Sequence, residues 1–300
     1  MTVLSGSSGK TGREGGEPMP VAHLNDTELY YVEVGEGLPC LVMHGGLGGD
    51  HSSLHPWLDP LGDVMRLVYY DHRGNGRSGR PRSESITFEQ LCADADALRE
   101  HLGFEEIAVL GYSFGGFVAV EYALRYPERI SHLILLDTAP TFDYEEEIEA
   151  NARRKGATQE QLEALDASAE DEGESWRLWK VIEPLYFCTF DADLAERVMG
   201  KTVISVEAAD AGDAIIEGWD LTPRLGEVSA PTLILVGRDD FVCPPSQAKI
   251  MHEGIPNSEL AVFENSGHFT HVEEPEAFFD AVRGWLRRSS GALLTRERGR

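Results

Sequence analysis

The chain has 300 residues, 26 of them Lys or Arg and 52 Asp or Glu, for a formal net charge of −26. Such a surface repels phosphate backbones and anionic headgroups, which excludes charge-driven binding to nucleic acid or to anionic membranes. It suits a strongly solvated protein or one that attracts cationic substrates, and the length allows one large domain plus a smaller inserted one.

Residues 1–18 are rich in Gly, Ser and charge, lack the apolar run of a signal peptide, and read as a disordered arm. No window has the length of a membrane span, so the expected compartment is the cytoplasm. Cys40, Cys92, Cys188 and Cys243 are widely spaced. They read as reduced thiols, with no disulfide framework and no metal site.

Val21–Leu24 and Leu29–Val34 flank Asn25-Asp26 and predict an opening hairpin. Short apolar strands follow at Leu41–Met43 and Leu67–Tyr70, each leading into a Gly-rich turn. Thr87, with Gln90 three residues on, caps a helix to Leu102 whose apolar face is Phe88, Leu91, Ala95, Leu98 and Leu102. Ile107–Leu110 reads as a strand, Phe114–Arg125 as a helix and Leu133–Leu136 as a strand. Beyond Asp137 the alternation stops. Residues 140–222 carry polar helical segments with aromatics and no strong strand. Thr138 to Ala230 holds 22 acidic against 8 basic residues, so about half of the acidic excess sits in under a third of the chain. Strands resume at Thr232–Val236 and Leu260–Phe263, and a helix near Pro275–Leu286 closes the domain. The expected fold class is α/β: a mostly parallel twisted sheet with helices on both faces. Its core spans 19–139 and 223–288, with a helical cap at 140–222 and a flexible tail at 289–300.

Gly111-Tyr112-Ser113-Phe114-Gly115-Gly116 lies between a strand and a helix. A serine at the tip of so sharp a turn is lifted clear of the sheet. It also faces a helix N-terminus, where N–H groups favour negative charge. Gly111 and Gly115 leave room for the turn. Serine needs a base, and a histidine backed by a carboxylate is the usual solution. His268, in Ser266-Gly267-His268 after the last strand, is the candidate; His271 reads as structural. The carboxylate is expected at the end of the strand before it, where Asp239 and Asp240 both stand and Asp240 is preferred. Acyl transfer also needs two donors for the developing oxyanion. Phe114 N–H would be one and Gly46 N–H, in His44-Gly45-Gly46-Leu47-Gly48-Gly49, the other. His44 reads as a support for that loop. The loop has neither GxGxxG nor a P-loop lysine, so a nucleotide site is not expected.

With Asp71-His72-Arg73-Gly74-Asn75-Gly76-Arg77-Ser78 and Gly237-to-Asp240, these motifs resemble the α/β-hydrolase superfamily. Within it they resemble the group of prolyl aminopeptidases, small esterases and lactonases, from about Val21 to Leu286. The resemblance implies the α/β-hydrolase fold and a Ser113–His268–Asp240 triad without cofactor. In it, Asp71 and Arg73 would tie loops near the site. Two motifs depart from the aminopeptidases: Leu47 stands where their loop has proline, and Trp176-Arg177-Leu178-Trp179-Lys180 has lysine where they have an acid. Glu183, Glu207 or Glu217 could substitute for that acid, although each reads first as part of a solvated helix face. Trp176, Trp179 and Tyr186 either line an acyl pocket or pack the cap onto the core. The expected activity is hydrolysis of a small ester or lactone. The alternatives are removal of an N-terminal residue from a short peptide and, remotely, a slow-turnover ligand receptor. Aspartate-nucleophile chemistry, as in dehalogenases and epoxide hydrolases, is disfavoured by Ser113. The sequence leaves the oligomeric state open.

Overall fold

The computed structural model describes residues 20–46 and 48–297, with side chains described as far as residue 289. The expected N-terminal arm therefore lies outside the described residues.

The hairpin forms as β1 (Val21–Leu24) and β2 (Thr27–Val34), turning through Asn25 at a φ of 51°. Next come β3 (Leu38–Met43), β4 (Met65–Tyr70), helix α1 (Phe88–His101), β5 (Ile107–Tyr112), helix α2 (Phe114–Arg125) and β6 (Ile130–Leu136). The sheet has eight strands in the order β1-β2-β4-β3-β5-β6 and then β7 (Thr232–Gly237) and β8 (Ser258–Phe263). β1–β2 and β2–β4 are antiparallel, and every other pairing is parallel. All residues of β5 and β7 are buried, as expected of central parallel strands covered on both faces.

Thr87 accepts the Gln90 N–H as expected of the cap of α1, a contact worth about 1 kcal/mol. The Gln90 side chain does not close a capping box but turns to Asp94. Helix α2 is buried on nearly all sides.

Between β6 and β7 every regular element is helical: α3 (Glu145–Arg154), α4 (Gln159–Leu165), α5 (Glu172–Ile182), α6 (Ala192–Met199) and α7 (Val206–Ile216), with short 3-10 turns. The insertion is pinched at its base, where Leu221 N donates to Pro140 O at 2.9 Å and Thr141 pairs with Asp220. After β7 come α8 (Pro245–Gly254), β8, α9 (Thr270–Glu273) and α10 (Pro275–Glu297). Helix α10 thus runs past the predicted end near Leu286. Residues 287–297 contain no proline, and the single Gly291 costs only about 1 kcal/mol in a helix.

Candidate active site

At the carboxyl end of β5 the backbone reverses into α2 at Ser113, whose φ of 52° and ψ of −122° are unusual for a residue with a side chain. Such a conformation costs on the order of 1–3 kcal/mol and persists only where neighbours enforce it. Here Ser113 N donates to Leu136 O at 3.0 Å, while Ser113 O accepts from Thr138 Oγ1 at 2.7 Å and Gly116 N at 2.8 Å. A Cβ on Gly111 would strike Gly115 O and the side chain of Ala119, and one on Gly115 would strike Met43 O and His44 O. The two glycines flanking the serine are thus demanded by the turn.

His268 lies in the loop after β8. Its Nδ1–H donates to Asp240 Oδ2 at 2.8 Å, and Asp240 Oδ1 accepts from Val242 N (3.0 Å) and Cys243 N (2.9 Å). Both residues are buried. With Nδ1 carrying the proton, Nε2 keeps its lone pair for a base's work. Asp239 is turned away and pairs with Lys155. Of the two adjacent carboxylates, Asp240 is the partner of the imidazole. Ser113 and His268 line the same cavity, of about 210 Å³.

His271 is buried, and its Nε2 lies 3.0 Å from Ser53 O; burial lowers its pKa to about 4, so the ring is neutral and structural. His44 supports the glycine loop: its Nε2 accepts His72 N–H at 3.1 Å and its Nδ1 donates to Gly45 O at 2.9 Å. Gly46, at a φ of 47°, lines the cavity with Gly45, Gly48 and Gly49, and Leu47 lies outside the described residues. Phe114 opens α2 with its ring stacked on Phe88 at 5.8 Å, leaving only its backbone for the site.

The Asp71-to-Ser78 segment braces these loops. Asp71 accepts from His51 N and Nδ1 and from Arg77 N. Arg73 is buried and binds Asp94, Asp26 and Ser85, tying α1 to the first hairpin.

Two residues near Ser113, Asp240 and His268 were not singled out from the sequence. Asp137 follows β6 at a φ of 45° and accepts from Gly237 N, Thr270 N and Thr270 Oγ1. It thereby clamps the end of β7 to the segment just past His268. Burial, and then the charge of Asp240, pushes its carboxyl well above the usual range. The signal available was the one used for Asp240: an acid at the carboxyl end of a central strand. Cys243 is buried with its thiol within reach of the Ser113 hydroxyl. Burial, and then Asp240, pushes that thiol well above its ordinary pKa, so it is no competing thiolate.

The insertion roofs the cavity with Trp176, Trp179, Tyr186, Met199, Thr202 and Ile204. Tyr186 both lines and packs: its ring stands 5.4 Å from that of His268, and its carbonyl accepts His268 N–H at 2.7 Å. Trp179 Nε1 donates to Glu183 at 3.2 Å, and Glu183, buried, also accepts from Lys180. None of the three glutamates considered for amine binding reaches the cavity. Glu183 is tied up in this way, Glu207 pairs with Arg80, and Glu217 is exposed. The one carboxylate on the described wall, Asp50, accepts from Ser52 N, Ser52 Oγ, Arg77 Nη1 and Val203 N. No Lys or Arg is among the described lining residues.

A strand-to-helix serine sharing a cavity with a carboxylate-backed imidazole, at the carboxyl edge of a mostly parallel sheet, fits a known class, and the sequence profile agrees. The profile of the family described as the alpha/beta hydrolase fold matches residues 39–275, so the chain belongs to the α/β-hydrolase family. Among curated relatives it is 34% identical to the proline iminopeptidase PfmaB of Pestalotiopsis fici, over 88% of this chain and 97% of that one. It is 31% identical to a proline iminopeptidase of Clostridium botulinum, over 87% and 95%. Among solved structures, a thermophilic esterase from Thermogutta terrifontis matches with a TM-score of 0.71 and 30% identity, over 88% of this chain and 94% of that one. The enol-lactonase of Burkholderia xenovorans matches at 0.69 and 26%, over 89% and 100%.

Proposed function

We propose that this hydrolase is a serine enzyme cleaving a small, uncharged carboxylic ester or lactone through an acyl-enzyme. The observation that carries the reading is the His268–Asp240 hydrogen bond in a cavity shared with Ser113. Ser113 Oγ attacks the substrate carbonyl while His268 Nε2 takes its proton, and Asp240 holds the ring and stabilises the imidazolium. The oxyanion is met by the N–H groups of Gly46 and Phe114, at the start of α2, where the helix dipole favours negative charge. The imidazolium returns its proton to the leaving oxygen, forming the ester of Ser113. Water, activated by the same imidazole, then releases the acid. Protein groups alone carry these steps.

The walls support the substrate class. A charged amine would need an unpaired carboxylate, and Asp50 already has four donors. A substrate carboxylate would need a cation, and none lines the described wall. Burying an unpaired charge there would cost several kcal/mol. Aromatic walls fit an apolar acyl or alkyl group. Residues 140–222 act in this reading as a cap that bounds the pocket. Removal of an N-terminal residue is the second reading, favoured by the names of the curated relatives. Short p-nitrophenyl esters and simple lactones, assayed against proline p-nitroanilide, separate the two. The ester reading fails if the anilide is turned over faster by orders of magnitude.

No helix among the described residues is long and apolar enough to cross a membrane. A cytoplasmic enzyme acting on a small molecule, without nucleic-acid or membrane partner, remains part of the proposal.

A further inference from the structure

The glycine loop after β3 is held from the insertion as well as from the core. Gly48 O accepts Ser205 N–H at 2.9 Å, and a Cβ on Gly48 would strike Ala209 in the first turn of α7. Asp50, whose side chain is fully buried, joins the two units directly. Its Oδ2 accepts Val203 N at 3.1 Å from the insertion and Arg77 Nη1 at 2.9 Å from the core, and its Oδ1 accepts from Ser52. Ser52 Oγ in turn meets Thr202 Oγ1 at 3.1 Å. From below, Asn75 Oδ1 accepts Gly48 N–H at 2.6 Å, and Asn75 is itself oriented by the carbonyl of Arg73. Gly49 N–H returns to Gly46 O at 3.0 Å, so the loop's shape passes directly to Gly46.

We infer that Asp50, clamped by Arg77, is a positioning residue that docks insertion segment 202–205 onto the glycine loop and so sets the Gly46 N–H for the oxyanion. The inference rests on the acyl-transfer reading above. An oxyanion donor contributes only where the charge develops, so a displaced donor weakens the transition state and leaves ground-state binding nearly unchanged. Loss of the clamp therefore lowers kcat and not KM. A residue that merely held the fold together would lower the amount of active enzyme and leave turnover per active site untouched.

The test uses the full chain, with active sites counted by fluorophosphonate labelling run to completion. For Asp50→Asn, kcat per labelled site on a short ester is expected to fall about 10- to 100-fold, with KM held within about threefold. The inhibition constant of an alkyl boronic acid, which forms a tetrahedral adduct on the serine, should rise by the same factor as kcat falls. For Arg77→Gln a loss of roughly three- to tenfold in the same pattern is expected. The proposal is overturned if kcat per site stays within about twofold of the parent, or if KM rises while boronate affinity holds. Should Asp50→Asn fail to fold, Arg77→Gln decides alone by the same ratio. Ser113→Ala runs alongside as a control. If it retains activity, the acyl-transfer reading itself fails; if it is dead while Asp50→Asn turns over normally, only the clamp does.

Discussion

The floor and the roof of the cavity are built by different rules. The floor comes from strand ends: Ser113 after β5, Asp240 after β7 and His268 after β8. There, both Asp240 oxygens and the His268 Nδ1 are bonded, and the serine's backbone is locked from three sides. The roof comes from short helices. Helix α5, which supplies Trp176 and Trp179, has no buried residue at all. The floor side of the chain carries every histidine, whereas residues 138–230 have none and hold 22 acids against 8 bases. Chemistry demands positions held to within about half an ångström, which needs buried, mutually bonded groups on rigid elements. Selectivity needs only shape and apolar contact, which half-exposed aromatics supply. In the proposed reading, reaction type therefore resides in the floor and substrate choice in the roof.

That division can be broken at its strongest point first. Ser113→Ala should reduce ester turnover by on the order of 10⁴ or more, without loss of fold. Retention of most activity would move the nucleophile elsewhere. Asp240→Asn should lose about 10⁴ in kcat, because the imidazole is then held in the wrong tautomer. Asp239→Asn, which breaks only the Lys155 pair, should stay within about tenfold of the parent. If the two variants behave alike, the bonded geometry does not identify the working acid.

Acid should attack the floor selectively. Burial lowers the pKa of His44, His72 and His271, the last to about 4. These rings are neutral in the folded state and become charged in the unfolded chain as pH falls below about 6.5. The unfolded state then binds more protons, so stability drops with falling pH, and the loss is complete for each ring below its folded pKa. His271 alone contributes on the order of 3 kcal/mol between about pH 6.5 and pH 4. Urea unfolding at pH 7, 6 and 5 should show that slope, and His271→Gln should flatten it. An unchanged slope in the variant would remove His271 from the account.

The smallest effect belongs to the roof. Trp176→Ala should shift the preference between short and longer acyl esters by roughly tenfold, about 1–2 kcal/mol, while kcat on the shortest ester stays nearly constant. Equal losses on all esters would mean that the roof shares in the catalytic geometry, and the division would fall.

The fold and the strand-to-helix turn at Ser113 are legible in the sequence because their signals are local. Apolar runs alternating with amphipathic stretches specify parallel construction, and Gly111-Tyr112-Ser113-Phe114-Gly115 states its turn in five adjacent residues. The tandem Asp239-Asp240 could not be resolved that way. Which carboxylate faces His268 depends on how the turn after β7 rotates each side chain, and that turn is set by Val242 and Cys243 N–H groups bonding to Asp240. The aromatics at 176, 179 and 186 were open between lining and packing, and Tyr186 does both, which only neighbours distant in sequence could reveal.

By itself, then, the sequence determined the element order, the strained serine and the candidate imidazole, because periodicity, turn chemistry and glycine spacing act between near neighbours. Only the tertiary structure decided that Asp137 clamps β7 to the histidine loop, that Cys243 lies beside the serine and that Asp50 joins insertion to core. Those contacts join residues 100, 133, 130 and 153 positions apart. Burial and hydrogen bonding between such distant groups are properties of the packed chain, and no short stretch of residues encodes them.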